Sequence, residues 1–285
     1  MNVEILRYSA FTQTPAGGNP AGIVLDATGL DELRMQAIAT EVGYSETAFL
    51  TPAGNDAREF HVRYFAPSIE IPFCGHATIA TGVALAERLG EGVFLLHTNV
   101  GDVPVDVERD ADGLLKATLT SVEPKLDELD PGDLAELLDA LRWSHDDLDP
   151  ELLPKVAFGG ARHPVLAAAS RARLADLDYD FAALRELMLR RGWTTIHLVW
   201  RESPTVFQVR DPFAAGGVVE DPATGGAAVA FGHYLREMKL IEPPVTLTLH
   251  QGVDMGRPSL LIVDVDDVDQ HIRVGGHAVP IPQDT

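Results

Sequence analysis

The chain has little cysteine, few basic residues and no long apolar run. Its one cysteine, Cys74, cannot form a disulfide within the chain, which excludes a fold held together by disulfide bonds. No apolar run approaches the roughly 18 residues of a membrane helix, so we predict no membrane span. With 22 basic against 43 acidic residues, the net charge of −21 argues against nucleic acid or an anionic membrane as a partner.

The remaining composition is that of a soluble globular protein. Apolar residues make up 46% and charged residues 23% of the 285 positions, as in ordinary soluble domains. This length has room for two domains. The N-terminus, Met1-Asn2-Val3-Glu4-Ile5, lacks the basic and then apolar pattern of a secretion signal. We therefore predict a reduced, cytoplasmic protein.

One segment of the chain occurs twice. Ile71–Ala80 has a near-copy 150 residues later in Asp221–Ala230. In the 20-residue windows that begin at Glu70 and Glu220, 8 positions are identical, where about one or two are expected by chance. Each copy is a glycine-opened turn followed by a helix that is apolar on all sides, as buried helices are. The repeat predicts a duplicated fold with two buried helices whose N-termini face a shared cleft; the alternative is one helix type used twice by chance.

Short predicted strands and helices follow one another along the chain. Alternating apolar residues predict strands, for example over Phe60–Phe65. Helical spacing predicts helices over Asp31–Val42, Pro131–Trp143 and Phe181–Arg191. The charged, proline-bearing segment Ser121–Asp133 is predicted to be the passage between two domains. Many short strands with one buried helix in each half indicate an α+β architecture.

Glycines at the start of the two predicted buried helices suggest an anion site. A helix N-terminus presents unpaired N–H groups and a partial positive charge, and Gly75, Gly225 and Gly226 would let a ligand approach that backbone closely. Two such helix ends would hold a carboxylate or another small anion. The alternative is that these glycines only permit close packing of the helices.

Three ionisable residues stand at the ends of predicted elements. Glu46 follows a helix that Gly43 caps, His76 lies beside the first buried helix, and Asp221 precedes Pro222. From the sequence alone each has a structural alternative, namely a capping or solvated carboxylate, a packed histidine and a turn aspartate.

Other catalytic patterns are missing from the sequence. The ten histidines form no pair at metal-ligand spacing with a cysteine or carboxylate, so no metal is predicted. Gly17–Gly22 lacks the dinucleotide fingerprint, and no Gly-x-Ser-x-Gly elbow occurs. We expect no cofactor.

Five motifs occur in one order over nearly the whole chain: Gly18-Asn19-Pro20, Ser45-Glu46-Thr47, Phe73–Thr78, Val218–Gly225 and Gln251–Pro258. In these motifs the chain resembles the PhzF family of phenazine-biosynthesis isomerase-like proteins. The resemblance implies an α+β, diaminopimelate-epimerase-like fold with two pseudo-symmetric β-barrel-like halves, each around a central helix.

The resemblance also implies where the halves divide. The first half is expected over residues 1–118, with its central helix from Gly75, and the second over residues 119–276, with its helix from Gly225. A last strand, at about 277–285, is expected to return to the first half, separate from a strand predicted over Ile272–Val274.

Roles for single residues follow from the same resemblance. Glu46 matches the proton-transferring glutamate of the family, and His76 and Asp221 match its flanking polar pair. These three are the implied catalytic residues. The implied substrate-binding residues are Asn19, Ser45, Gly75, Thr224, Gly225 and Gly226.

Two positions depart from the pattern of related proteins. Gly226 stands where the family commonly has a serine, so a hydroxyl donor to the ligand is missing and the phenazine substrate is in question. The related epimerases place a catalytic cysteine before each glycine, but here the first position is Cys74 and the second is Thr224. A two-thiol racemase mechanism is therefore not available.

The sequence thus predicts a cofactor-independent isomerase for a small carboxylate-bearing substrate that binds in the cleft between the halves. The carboxylate would dock on a helix N-terminus. Glu46 would act as a general base and then as a general acid, with a pKa raised by burial. The alternatives are an amino-acid epimerase or racemase that uses Cys74 with another base, and a non-catalytic small-anion binder on the same fold. A homodimer is the predicted assembly.

Overall fold

The computed structural model describes residues 3–54 and 56–282. Contacts between Cα atoms divide the chain into two compact units. The first unit contains the chain up to Val122 and again from Arg273, and the second unit is Glu123–Ile272. The predicted divisions stood near residues 118 and 276.

The first unit is a closed barrel of eight strands. Its elements are β1 (Leu6–Ala10), β2 (Asn19–Val24), α1 (Glu32–Val42), β3 (Glu46–Pro52), β4 (Glu59–Ala66), β5 (Ile69–Ile71), α2 (Gly75–Leu89), β6 (Gly92–Thr98), β7 (Gly101–Arg109), β8 (Leu115–Thr120) and, from the end of the chain, β17 (Ile272–Pro280). The barrel order is β1-β2-β3-β4-β6-β7-β8-β17, and β17 pairs with β1 to close it. The β2–β3 and β4–β6 pairs are parallel, and the short β5 pairs with the end of β4.

Helix α2 runs through the barrel and is buried from Gly75 to Ala86. It contacts β1, β2, β3, β7 and β8. Its small residues make this possible, because a Cβ atom at Gly82 would lie 2.7 Å from Cγ1 of Val105. The helix therefore fills the barrel interior as an apolar plug, as its uniformly apolar sequence predicts.

Helix α1 packs on the first unit through Met35, Ile38 and Val42. Asp31 caps its N-terminus by accepting a hydrogen bond from the Arg34 N–H, and Gly43 ends it in the left-handed conformation with φ of 72°. This tight end turns the chain directly into β3, so that Glu46 becomes the first residue of that strand.

Strand β17 differs from its prediction. Two separate segments were expected, Ile272–Val274 and a last strand at about 277–285, whereas a single strand runs from Ile272 to Pro280. The two glycines that interrupt the apolar pattern lie inside the ladder. A Cβ atom at Gly275 would lie 2.6 Å from Oγ1 of Thr118, so glycine allows β17 to approach β8 closely. The part of the predicted last strand beyond residue 282 lies outside the described residues.

The second unit has the same plan of a sheet with a buried helix. Its elements are β9 (Lys125–Glu128), α3 (Pro131–Leu141), β10 (Lys155–Phe158), β11 (Arg162–Ala167), α4 (Arg171–Ala175), α5 (Phe181–Arg191), β12 (His197–Arg201), β13 (Val206–Pro212), β14 (Glu220–Asp221), α6 (Gly225–Glu237), β15 (Val245–Gln251) and β16 (Ser259–Val265), with 3-10 turns at His145–Asp147 and Ala214–Gly216. The strand order is β9-β10-β11-β12-β13-β15-β16, and β14 pairs with the end of β13.

Strand β9 lies in the segment that was predicted to be a passage between domains. It pairs with β10 in antiparallel register, with Lys125 opposite Phe158. Its sequence, Lys-Leu-Asp-Glu, has no strand character of its own. A partner some thirty residues ahead supplies the backbone hydrogen bonds that make it a strand.

Helix α6 is buried from Gly225 to Leu235 and contacts β9, β10, β11 and β16. The ring of Phe231 packs edge-on against Phe207 at 4.9 Å between ring centroids. A Cβ atom at Gly232 would lie 2.9 Å from Cγ1 of Val263. Glycine at this point lets the helix approach the sheet, as Gly82 does for α2.

A further core of the second unit lies under α3 and α5, which pack against each other. It includes Leu137, Leu141, Leu184 and Met188.

Within the described ranges, none of the helices has the length and apolar character needed to cross a membrane.

Candidate active site

Glu46, Cys74 and His76 lie together at the start of α2. Glu46 is the first residue of β3, Cys74 is the N-cap of α2, and His76 is the second residue of that helix. One polar atom from each side chain lies within 4.8 Å of the other two, and all three residues are buried. Helix α2 packs against β3, so tertiary packing brings Glu46 to residues that are far from it in the sequence.

The imidazole of His76 is neutral at ordinary pH. Burial lowers the pKa of His76 to about 3, and a hydrogen bond with the backbone of Pro20 opposes this only partly. Asn19 Nδ2 lies 3.0 Å from Nδ1 of His76, and Ser45 Oγ lies 3.5 Å from Nε2. A neutral ring has one N–H and one lone pair, so His76 can donate a hydrogen bond at one nitrogen and accept one at the other.

The pKa of the Glu46 carboxyl group lies above its ordinary value. Burial raises the pKa of Glu46, and hydrogen bonds with Ser45 and Cys74 oppose that shift. Its Oε2 lies 3.3 Å from Nε2 of His76. Oε2 has no hydrogen-bond partner within residues 3–54 and 56–282. Because His76 is neutral, this contact supplies no positive charge that would hold Glu46 ionised.

The same three side chains are of the types that bind zinc. Zinc takes cysteine, histidine and glutamate ligands, and structural zinc sites usually have four. The sequence predicted no metal from residue spacing, and spacing could not find this group because Glu46 reaches it from another strand. Ser45 and Cys74 form hydrogen bonds with Glu46, and the absence of a metal stays a prediction.

The first turns of α2 and α6 present backbone N–H groups. Gly75 begins α2, and Gly225 and Gly226 begin α6. The side chains of the two N-cap residues, Cys74 and Thr224, make no capping hydrogen bond to the helix. Neither cap therefore competes with a ligand for the unpaired N–H groups.

The departure at Gly226 has a local structural reason. A Cβ atom at this position would lie 3.3 Å from the carbonyl oxygen of Gly159 and 3.4 Å from Nε2 of His163. Any side chain would require these neighbours to move slightly, so the β10–β11 turn packs against α6 as closely as it does because residue 226 is glycine.

In the second unit, Asp221 and Thr224 form a hydrogen-bonded turn. Asp221 ends β14 and is 5% exposed. The Thr224 hydroxyl donates to Oδ2 of Asp221 over 2.6 Å. Gln251, the last residue of β15, bonds to both residues. The sequence analysis placed Gln251 in a motif but gave it no role, because its partners are 27 and 30 residues away.

A second polar group in this unit was missed altogether. The Thr195 hydroxyl donates to Asp211 Oδ1 over 2.7 Å and lies 2.8 Å from Nδ1 of His163, and Nδ1 of His197 lies 3.1 Å from Asp211 Oδ2. All four side chains are buried. In the sequence they are scattered over three strands and a loop inside apolar segments, which gave no signal that they meet.

The structure thus divides the predicted site residues between the units. The first unit holds Asn19, Ser45, Glu46, Gly75 and His76, of which Asn19, Ser45 and Glu46 all approach the His76 ring. The second unit holds Asp221, Thr224, Gly225 and Gly226. The catalytic and binding roles of these residues, and the shared cleft, remain predictions.

Comparison with known proteins identifies the family. The family model described as "Phenazine biosynthesis-like protein" matches residues 8–283. An uncharacterised isomerase of Mesorhizobium japonicum is 35% identical over 97% of this chain and 96% of its own. Trans-2,3-dihydro-3-hydroxyanthranilate isomerase of Pseudomonas chlororaphis is 31% identical over 97% of this chain and 96% of its own.

Solved structures agree with this assignment. A PhzF-family phenazine biosynthesis protein of Bacillus anthracis superposes with a TM-score of 0.85 at 26% identity, and the match covers 99% of this chain and 98% of the other. A hydroxyproline epimerase of Agrobacterium vitis shares the fold at a TM-score of 0.68 and 13% identity, covering 97% of this chain and 90% of the other. The predicted α+β, diaminopimelate-epimerase-like fold and the predicted enzyme class, an isomerase, are therefore confirmed, and the chain belongs to the PhzF, or phenazine biosynthesis-like, family.

Proposed function

We propose that this protein is a cofactor-independent isomerase that moves a proton between two carbons of a small carboxylate-bearing substrate, with Glu46 as the acid–base group. One observation carries the proposal. Glu46 is a buried carboxyl group whose Oε2 has no hydrogen-bond partner among the described residues and lies beside the neutral ring of His76. A buried polar atom without a partner is costly, and a role in proton transfer accounts for that cost.

The proposed reaction uses one carboxyl group twice. Glu46 removes a proton from a carbon next to an unsaturated system, and the electron pair of the broken C–H bond moves into that system as an enol or enamine. The proton on Glu46 exchanges with solvent, and Glu46 then delivers a proton to another carbon of the same system, so the product has the same composition as the substrate in ordinary water and gains one deuterium in deuterium oxide. A positioned acid–base group contributes about 10²–10⁴-fold to such a step.

Neutral groups around Glu46 suit this chemistry. A protonated histidine at 3.3 Å would stabilise the carboxylate and make it a weaker base, whereas neutral His76 can hydrogen-bond the substrate without doing so. Asp221 is proposed to accept a hydrogen bond from the amine or hydroxyl of the substrate. The substrate carboxylate is proposed to dock on the N–H groups at the start of α2 or α6.

The test is incubation with trans-2,3-dihydro-3-hydroxyanthranilate, the substrate in the name of a relative, in deuterium oxide. We expect isomerisation with deuterium at the new C–H position. Glu46→Gln keeps the shape of the side chain and removes its basicity, so deuterium incorporation should fall by about 10²-fold or more while the protein stays folded. His76→Ala and Asp221→Ala should weaken binding and rate together.

The matched control is Glu59→Gln, at a partly buried glutamate that begins β4, which should react as the wild type does. Equal incorporation by Glu46→Gln and the wild type would show that Glu46 is not the base. No turnover of this compound by the wild type would reject it as the substrate, and the same assay would then be run on small amino and hydroxy acids.

A second candidate function is supported by the position of Cys74. Its Sγ lies 3.4 Å from Nδ1 of His76, inside the same group as Glu46. An epimerase would use Cys74 and another base from opposite faces of one carbon. Exchange with inversion at that carbon, without migration, would favour this function. Absence of exchange with any ligand that binds would favour a small-anion binder.

Two further predictions concern the location and the assembly of the protein. The cytoplasmic location and the homodimer both remain predictions. Light scattering during size-exclusion chromatography would decide the second, since a dimer has twice the mass of the 30.8 kDa chain.

A further inference from the structure

Gln251 is a buried polar side chain whose amide hydrogen bonds, within residues 3–54 and 56–282, all go to the turn that carries Asp221 and Thr224. It is 1% exposed and is the last residue of β15, whereas Asp221 ends β14 and Thr224 is the N-cap of α6. Its amide forms three hydrogen bonds, and all three partners lie in the segment from Asp221 to Thr224. One side chain therefore bonds to both ends of the turn that leads into α6.

The orientation of the Gln251 amide follows from its partners. The Thr224 backbone N–H can only donate, and it lies 2.9 Å from Oε1. The Asp221 carbonyl oxygen can only accept, and it lies 2.8 Å from Nε2. These two contacts independently place the oxygen and the nitrogen of the amide in the same way. The second Nε2 proton is then directed to the Thr224 hydroxyl at 3.0 Å.

The direction of the next hydrogen bond follows in turn. The Thr224 hydroxyl has one proton, and its oxygen already accepts the Nε2 proton of Gln251. Its own proton is therefore donated to Oδ2 of Asp221, at 2.6 Å, a short distance that is typical of a bond to a carboxylate. The result is a relay from the Gln251 amide through the Thr224 hydroxyl to the Asp221 carboxylate.

The backbone of the β15–β16 turn packs closely against the turn that carries Asp221 and Thr224. A Cβ atom at Gly252, where φ is +71°, would lie 2.8 Å from the carbonyl oxygen of Pro222. The Ser259 hydroxyl donates to that same carbonyl oxygen over 2.8 Å. The β15–β16 turn thus lies directly against the Asp221–Thr224 turn, and only glycine at residue 252 allows this approach.

We infer that Gln251 is a positioning residue that, through Thr224, sets the direction in which the Asp221 carboxylate faces its ligand. The inference rests on the proposed function, because the proposed function is what gives the Asp221 carboxylate a ligand. In this inference Gln251 acts through Thr224 and Asp221 and is given no substrate contact of its own. Its contribution is geometric, since an error of about 1 Å in the position of a substrate-binding group can cost about 10²-fold in rate.

Three variants test the relay. Gln251→Glu has nearly the same shape, but it places an acceptor oxygen against the Asp221 carbonyl and the Thr224 hydroxyl. Thr224→Val has nearly the shape of threonine without the hydroxyl, and Thr224→Ser restores the hydroxyl. Gln208→Glu is the matched control for the charge change, because Gln208 bonds to an exposed glutamate, Glu202, at the surface of the same unit.

The first measurement is steady-state kinetics with trans-2,3-dihydro-3-hydroxyanthranilate. We expect kcat/KM to fall about 10- to 100-fold in Gln251→Glu and Thr224→Val. Thr224→Ser should recover most of the activity that Thr224→Val loses, and Gln208→Glu should stay close to wild type. Because Gln251 acts through Asp221, Gln251→Glu should cause no further loss in an Asp221→Asn background. An equal loss in both backgrounds, or failure of Thr224→Ser to recover activity lost in Thr224→Val, would overturn the inference.

The second measurement needs no activity and separates this inference from the proposed function. Crystal structures of the wild type, Gln251→Glu and Thr224→Val should show the Asp221 carboxylate displaced by about 1 Å or more in both variants. An Asp221 carboxylate that keeps its position in both would overturn the inference, whatever the enzyme turns over. Should Gln251→Glu fail to fold, the Thr224→Val and Thr224→Ser pair decides, because neither changes charge.

Discussion

Helices α2 and α6 both begin at a glycine, but the polar side chains beside their first turns are arranged differently. At α2, the Glu46 carboxyl is buried with one oxygen that lacks a partner among the described residues, and the neighbouring His76 is neutral. At α6, the turn from Asp221 to Thr224 is tied by hydrogen bonds to Gln251. Both glycine-opened helices fit their sheets through a central glycine, Gly82 or Gly232. The two units therefore share the glycine packing of their central helices, while the polar groups at the helix starts differ: a buried carboxyl group at α2 and a hydrogen-bonded turn at α6.

The largest expected effect on stability tests whether the packing is shared. In Gly82→Ala and Gly232→Ala the new Cβ would lie 2.7 Å and 2.9 Å from a valine methyl group. Overpacking costs about 1–3 kcal/mol, and alanine regains about 0.5–1 kcal/mol of helix propensity. We expect each variant to lower the free energy of unfolding by about 1–2 kcal/mol in urea titrations.

The control for this pair is Gly54→Ala, where no atom of the described residues beyond the chain neighbours lies within 4 Å of the new Cβ. It should leave the free energy of unfolding nearly unchanged. A large loss in one helix and none in the other would show that the two units are packed by different rules.

Measuring stability as a function of pH tests the electrostatic difference between the starts of α2 and α6. The pKa of Glu46 is raised in the folded state above its ordinary value of 4.5. Between 4.5 and the raised value the folded protein therefore binds more protons than the unfolded chain, so wild-type stability falls as pH rises through that window. Glu46→Gln has no such proton, and its stability relative to the wild type should increase as pH rises from 4.5.

The measurement is urea unfolding of both proteins at several pH values upward from 4.5. Glu59→Gln, which also replaces a glutamate of the first unit by glutamine, is measured alongside as the control. A difference between Glu46→Gln and the wild type that is constant with pH, or that shrinks as pH rises, would contradict the burial of an ionisable carboxyl at this position.

The smallest expected effect concerns Cys74. Its counterpart in the second copy is Thr224, so a mechanism with two thiols has only one available. Cys74→Ala removes a hydrogen bond to Glu46, and one ordinary hydrogen bond is worth about 0.5–1.5 kcal/mol. We therefore expect deuterium incorporation to fall less than about tenfold. A loss as large as that of Glu46→Gln would instead favour the epimerase.

Much of the fold could be predicted because it depends on residues that are close together in the sequence. The repeat, the apolar character of both helices and the glycine-opened turns indicated two buried helices among short strands, and motifs in family order led to the fold that the comparisons confirm. The errors occurred where local sequence is a poor guide. Strand β9 has a polar sequence and exists because β10 pairs with it, and β17 continues through two glycines because β8 lies so close.

For the same reason, only part of the candidate site could be predicted from the sequence. Glu46, His76 and Asp221 were found through motifs of the family, whereas their neighbours in the sequence alone also allowed a structural interpretation of each. Gln251 stood in a motif without a role, and the group around Asp211 gave no signal. Hydrogen-bond partners that are 14 to 32 residues apart leave no periodic trace in the sequence.

The sequence by itself determined which segments must be buried, where the two helices begin and how close the backbone can approach at each glycine. These properties depend on side-chain size and hydrophobicity at neighbouring positions. Only the tertiary structure decided the chemistry. Burial within the first unit makes His76 neutral and raises the pKa of Glu46, and a strand end in the second unit brings Gln251 to Asp221. A pKa and a hydrogen-bond direction depend on the groups that surround a side chain in space, and the chain acquires those surroundings only when it folds.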